Sequence, residues 1–148
     1  MIDGYLGDEA ATRQSFRNGW FYPGDMGLLT ADGQLVHRGR SDEMMIVNGI
    51  NIYPEEIESV LRGYPGIMDV AVVPLHSRIS QDLPVCAVVT SAGSQPTEAK
   101  MDRFVRERIG HRAPARIIVL DRLHRNEQGK LDRKELARIL LAKITGEA

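Results

Sequence analysis

The stretch Gly39–Glu58, GRSDEMMIVNGINIYPEEIE, constrains the fold of this chain more than any other. Asn48-Gly49 sits between two short apolar runs, Met44–Val47 and Ile50–Tyr53. That dipeptide is favoured in two-residue hairpin turns, whose central residues both need positive φ. The turn also sets the pairing register of the two strands it joins. Pro54 follows at once, where a helix can begin, because a first-turn proline gives up an N–H that would have no partner anyway. Glu55, Glu56 and Glu58 suit the positive N-terminal end of that helix. Ile57, Val60 and Leu61 give the i, i+3, i+4 stripe, and Gly63-Tyr64-Pro65-Gly66 stops it.

The chain continues with the same clarity. Val70–Pro74 and Val85–Thr90 read as buried strands separated by the polar loop His76–Asp82. Met101, Phe104, Val105, Arg108 and Ile109 mark an amphipathic helix starting near Thr97. Arg116–Leu120 reads as a third strand, and Leu136, Ile139 and Leu140 mark a last helix from about Asp132. The expected fold class is α+β: a small sheet of about three main strands plus a β-hairpin, flanked by helices, over 41–148.

Residues 1–40 do not fit that pattern. Residues 1–26 are polar and glycine-rich, with the cluster Gly19-Trp20-Phe21-Tyr22-Pro23-Gly24-Asp25 and a weak helical period over Asp8–Phe16. Gly27–Arg40 reads as a hairpin turning at Ala31-Asp32-Gly33. Two strands and a loop cannot bury a core alone. The segment is therefore expected to need a partner surface.

Composition excludes several function classes. A net charge of −1 over 148 residues gives no electrostatic case for nucleic acid or an anionic membrane. No run approaches the ~18 apolar residues of a membrane span, and the N-terminus lacks a signal-peptide pattern. Cys86 is the sole cysteine, so no internal disulfide is possible; its apolar setting reads as core, and the expected location is the cytoplasm. The four histidines (His37, His76, His111, His124) show no metal-ligand spacing, and no metal site is expected. Gly129-Lys130 is not a phosphate loop, since His124 stands where its first glycine belongs and Leu131 where Ser or Thr belongs. No Gly-x-Ser-x-Gly elbow is present. A self-contained enzyme is hard to build from these residues.

Read together, GWFYPGD, Asp32-Gly33, GRSDEMMIVNGINIYPEEIE and RNEQGKLDRKEL occur in the order and spacing of adenylate-forming ligases. The whole chain resembles the C-terminal part of such enzymes: acyl-CoA synthetases, adenylation domains of peptide synthetases, and luciferases. The resemblance implies two half-reactions. A carboxylate attacks the α-phosphate of ATP, carried as its Mg²⁺ complex, and gives an acyl-adenylate and pyrophosphate; a thiol of coenzyme A or of an acyl carrier protein then displaces AMP. It further implies that 1–40 is the tail end of a large N-terminal adenylation domain and 41–148 a mobile C-terminal domain.

By the same resemblance, Asp25 accepts from the ribose hydroxyls of the nucleotide, although alone it would read as an Asx turn after Pro23-Gly24. Arg40 contacts ribose or phosphate, and Asp42 is the hinge. Asn48 and Gly49 form the loop that approaches the thiol tunnel. Lys130 is the adenylation lysine, bridging the acid's carboxylate and the α-phosphate. Pro23 replaces the threonine usual before that Gly-Asp, and His124 replaces a proline often found before Arg125.

The large domain's Ser/Thr/Gly-rich phosphate loop is not in this sequence, so the chain alone is expected to bind neither ATP nor acid tightly. It reads as an excised fragment or the separately encoded half of a split ligase. Asn51-Ile52-Tyr53-Pro54 favours coenzyme A as acceptor over a carrier protein, though fatty-acyl-AMP ligases carry a similar pairing. The alternatives are a part of such a ligase or of a peptide-synthetase adenylation domain, and a non-catalytic docking module for a carrier protein.

Overall fold

The hairpin at Asn48-Gly49 forms as the sequence dictates. In a computed structural model that describes residues 2–75, 82–94 and 96–146, Asn48 and Gly49 take φ of 51° and 78°. The loop expected over His76–Asp82 lies, apart from Asp82, outside the described residues. The chain divides into two compact units, residues 1–43 and 44–148.

The first unit begins with α1 (Glu9–Ser15), capped by Asp8, whose carboxylate accepts from the Ala11 amide at 2.8 Å. Two short strands follow, β1 (Phe16–Arg17) and β2 (Trp20–Phe21), paired around Asn18-Gly19. β3 (Asp25–Leu29) and β4 (Leu35–Arg40) make the second hairpin, with a register shift between Met26 and Gly27. A 3₁₀ turn, Ser41–Glu43, ends the unit. Among its described residues only Gly39 is buried. Trp20, Leu29 and Leu35 are 70–77 % exposed, so this unit has no core of its own.

The second unit is built on one sheet. β5 (Met45–Val47) pairs with β6 (Ile50–Ile52), and α2 runs from Pro54 to Arg62. β7 (Ile67–Leu75) pairs antiparallel with β8 (Leu83–Thr90). The chain then crosses over through α3 (Glu98–Ile109), capped by the Thr97 hydroxyl, to β9 (Arg116–Val119), which lies parallel to β8. The sheet order is β7-β8-β9. α4 (Arg133–Thr145) closes the unit, with Asp132 accepting from the Glu135 amide at its start. No described helix is long and apolar enough to cross a membrane.

Alternation along the strands sends side chains to two faces. On one face Val70, Val72, Cys86, Val88 and Ile117 pack with Ile57 and Leu61 of α2, Met101 and Val105 of α3, and Met45 and Ile52 of the hairpin. On the other, Ala71, Val73, Val85 and Ala87 pack with Leu136 and Leu140 of α4. Helices thus cover both faces of the sheet, which explains why β7 and β8 read as continuous apolar runs rather than alternating ones. Cys86 is a core residue, and burial pushes its thiol pKa well up. The register shifts between Ile67 and Asp69. One extra residue there lets Ile67 join the α2 face although strict alternation would send it to the other.

Leu61 and Leu136 are fully buried on opposite faces. Truncating either to Ala should cost about 2–5 kcal/mol in urea unfolding. Leu35→Ala, in the coreless first unit, should change stability by less than about 0.5 kcal/mol. Equal losses at all three positions would contradict this division.

Candidate functional site

Strand pairing in the first unit places Asp25 directly opposite Arg40. The Arg40 guanidinium donates Nε to Asp42 Oδ1 at 3.0 Å and Nη2 to Asp42 Oδ2 at 3.2 Å. Its Nη1 donates to the Pro23 carbonyl at 3.0 Å and stands 3.7 Å from Asp25 Oδ1. His37 Nε2 lies 3.9 Å from the same carboxylate. The Ser41 amide and hydroxyl both donate to the Gly24 carbonyl, at 2.8 and 2.9 Å. Gly24 itself has φ 84°, and a Cβ there would come within 3.2 Å of Arg40 Nη2, so this turn requires glycine. The hydrogen bond from Arg40 holds the Asp42 carboxyl below the usual range and raises the guanidinium in return. Three of the expected site residues, Asp25, Arg40 and Asp42, therefore stand in one cluster. Arg40 and Asp42, with Pro23, Gly24 and Ser41, line part of an open cleft of about 600 Å³.

Asn48, Gly49 and Lys130 belong to the second unit. The Asn48-Gly49 turn caps the β5–β6 hairpin, whose Met45 and Ile52 anchor it in the α2/α3 layer. Lys130 sits in a loop closed by a bridge between Arg125 and Leu131. Asn126 is the hub of that loop. Its amide donates to the Lys130 carbonyl at 2.8 Å, and its Oδ1 accepts from the amides of Gln128 and Lys130 at 3.1 and 2.9 Å. The Gly129 amide donates to the Asn126 carbonyl at 2.9 Å, with Gly129 at φ 76°. The lysine is thus exposed at the tip of a loop whose backbone is satisfied internally. Leu131 packs against the α4 layer, on the other face of the sheet from the hairpin.

One buried acid stands outside the expected set. Glu58, on α2, is 4 % exposed. Its Oε1 accepts from the Val72 amide at 2.9 Å, and its Oε2 accepts from Arg62 at 3.1 Å. Arg133, the first residue of α4, donates Nη1 to the Val72 carbonyl at 2.7 Å and lies 3.6 Å from Glu58 Oε1. Burial raises the Glu58 pKa, opposed by the Val72 hydrogen bond and by Arg133. A second link, Arg125 Nη2 to Asp69 Oδ2 at 2.6 Å, spans 56 positions of sequence. Sequence reading named Glu58 only as a helix-terminal acid and Arg133 only as part of a motif. It had no signal for their meeting, because nothing local pairs residues so far apart. The β1–β2 hairpin, by contrast, was signalled by Asn18-Gly19, the same dipeptide as at Asn48-Gly49, and was missed.

Comparison with known proteins places this geometry. Residues 56–130 match the model of the AMP-binding enzyme C-terminal domain. The chain is 38 % identical over 141 residues to 2-succinylbenzoate–CoA ligase of Geobacillus kaustophilus, covering 95 % of this chain and 29 % of that protein. It is 33 % identical over 144 residues to 4-coumarate–CoA ligase 2 of Nicotiana tabacum, covering 96 % and 27 %. Among solved structures it resembles o-succinylbenzoate CoA synthetase from Bacillus subtilis in complex with its acyl-adenylate intermediate. That match has a TM-score of 0.79 and 35 % identity over 90 % of this chain and 27 % of the other. The chain thus spans less than a third of the length of these relatives.

The raised Glu58 pKa carries a pH signature. The native state keeps a proton that the unfolded chain releases, so the stability from protonating Glu58 is complete below about pH 4.3, the ordinary glutamate value. It is lost as pH rises through the raised native value. Glu58→Gln removes this titration. Urea unfolding over a pH series should show the stability of the parent minus that of the variant shrinking as pH climbs; a difference that grows with pH would refute the buried-acid assignment.

Proposed function

The chain belongs to the AMP-binding enzyme C-terminal domain family, and from that premise we propose that it acts as the mobile C-terminal domain of an AMP-forming acid–thiol ligase. In the first half-reaction a carboxylate oxygen attacks the α-phosphorus of ATP, the bond to the pyrophosphate oxygen breaks, and pyrophosphate leaves. In the second, a thiolate attacks the acyl carbon and AMP leaves with the electron pair of the acyl–oxygen bond. The observation that carries the reading is the Arg125–Leu131 loop, which holds an exposed Lys130 at its tip. An ammonium there is suited to offset the negative charge of two anions brought together, an electrostatic contribution that is strongest when the donor is preorganised.

In this proposal Asp25 accepts from vicinal ribose hydroxyls, for which a carboxylate with two oxygens is suited. Arg40, already aligned by Asp42, meets ribose or phosphate, and Asp42, two residues before Met44, is the pivot. Coenzyme A is the proposed acceptor, with Asn48-Gly49 beside its pantetheine arm, where the absence of a Cβ at Gly49 allows close approach. Magnesium would arrive with the nucleotide: among the described residues no three His, Cys, Asp or Glu side chains gather into an ion site. The proposed partner is a large N-terminal adenylation domain in the cytoplasm, covering the exposed Trp20, Leu29 and Leu35. Hairpin and lysine loop lie in opposite layers of the second unit. Rotation of a rigid body can therefore present one or the other to a fixed site.

The two half-reactions separate the roles. In the complete ligase, Lys130→Ala should lower acid-dependent pyrophosphate release by roughly 10²–10³. Thioester formation from preformed acyl-adenylate should be nearly unchanged. Normal adenylation by that variant, with carrier-protein binding that is sensitive only to Asn48-Gly49, would point instead to a docking module.

A further inference from the structure

The loop that carries Lys130 is internally shaped by Asn126, but nothing in that shape fixes its direction on the body of the domain. Two long-range contacts do. At its entrance, Arg125 divides its guanidinium between the Gly129 carbonyl (3.3 Å) and Asp69 Oδ2 (2.6 Å). One hand of Arg125 therefore holds the residue beside Lys130, and the other holds β7. At its exit, Arg133 bonds the Val72 carbonyl of the same strand and faces Glu58. Both ends of 125–133 are thus tied to β7, at residues three apart along it.

Asp69 is prepared for this task. Its Oδ1 accepts from the Val70 amide at 2.9 Å, which orients the carboxylate and leaves Oδ2 to Arg125. It sits at the register shift of β7, and such irregularities re-aim side chains. The Asp69–Arg125 pair is partly exposed, at 37 % and 46 % of side-chain surface. A pair in that setting contributes little to global stability. Its evident use is geometric. We propose that Asp69 is a positioning residue for Lys130: through Arg125 and the Gly129 carbonyl it fixes the direction in which the lysine leaves the loop, with Arg133 as the second tether.

This rests on the reading of Lys130 as the adenylation lysine, and two measurements keep the two ideas apart. The first is hydrogen exchange on this chain with Asp69→Ala, and with Asp69→Asn as the milder change. The Gly129 and Lys130 amides should exchange about tenfold faster or more, while amides of β8 and α3 keep their protection. The second is the pair of half-reactions in the complete ligase. Asp69→Ala should slow adenylation on the order of 10- to 100-fold, mainly in kcat, and leave thioester formation from preformed acyl-adenylate unchanged. Arg125→Ala should do the same, and the double variant should lose no more than either single one, because the two act as a unit. Unchanged exchange at Gly129 and Lys130 overturns the tether. Faster exchange with normal adenylation, in a ligase that Lys130→Ala disables, overturns its catalytic purpose. Additive losses at Asp69 and Arg125 overturn the pairing. Normal adenylation by Lys130→Ala overturns the reading of the lysine, and this inference with it.

Discussion

The second unit depends on how the outer edge of β7 is finished. An edge strand presents unpaired N–H and C=O groups, and leaving them buried without partners costs about 1–3 kcal/mol each. At Val72 both groups are taken by side chains: Glu58 accepts from the amide and Arg133 donates to the carbonyl. The two come from helices on opposite faces of the sheet, α2 and α4, and meet at its rim. Burying a carboxylate carries an effective penalty of several kcal/mol per ion. Here the Val72 amide, Arg62 and Arg133 offset part of that penalty, and burial still leaves the Glu58 pKa raised. Because breaking a buried pair leaves an uncompensated charge, this contact locks the register of three elements at once.

The sheet behind that contact has two separately packed faces. One layer carries the hairpin whose tip is Asn48-Gly49, and the other carries the loop whose tip is Lys130. The proposed rotation, which would present one tip or the other, requires a body that does not deform. The fully buried side chains Ile57, Leu61, Met101, Leu136 and Leu140 supply that stiffness, since packed interiors transmit displacement rather than absorb it. At the two tips the backbone takes positive φ, at Asn48, Gly49 and Gly129.

Much of this was legible in the sequence. Pro54 and the following glutamates announced α2, and the starts read near Thr97 and about Asp132 fall on the residues that cap α3 and α4. Local chemistry sufficed there, because a cap or a turn is decided by neighbours. β7 was read too short, as Val70–Pro74 rather than Ile67–Leu75, and the strand runs on through Asp69. It is a strand residue whose carboxylate answers an arginine 56 positions away. Asp25, Arg40 and Asp42 were singled out separately by motif, and that they stand together follows from the Asp25–Arg40 strand pairing. Glu58, Asp69 and Arg133 were not found as partners, since charge pairing across a fold leaves no periodic trace.

The magnitudes also separate what should hold from what should move. Arg40 and Asp42 form a two-bond pair, yet both are largely exposed, at 47 % and 66 % of side-chain surface. Exposed pairs contribute about 0–1 kcal/mol, so giving up Asp42 for solvent, or for the proposed phosphate, costs Arg40 little. Residues 41–43 are a single 3₁₀ turn with no buried side chain, and a few such residues can absorb a large change in φ and ψ. The contrast with Glu58 is one of dielectric rather than of chemistry. Both are carboxylates facing arginines, but one is in water and the other is 4 % exposed. The hinge proposed at Asp42 and the buried contact at Glu58 therefore differ in the surroundings of the same kind of ion pair.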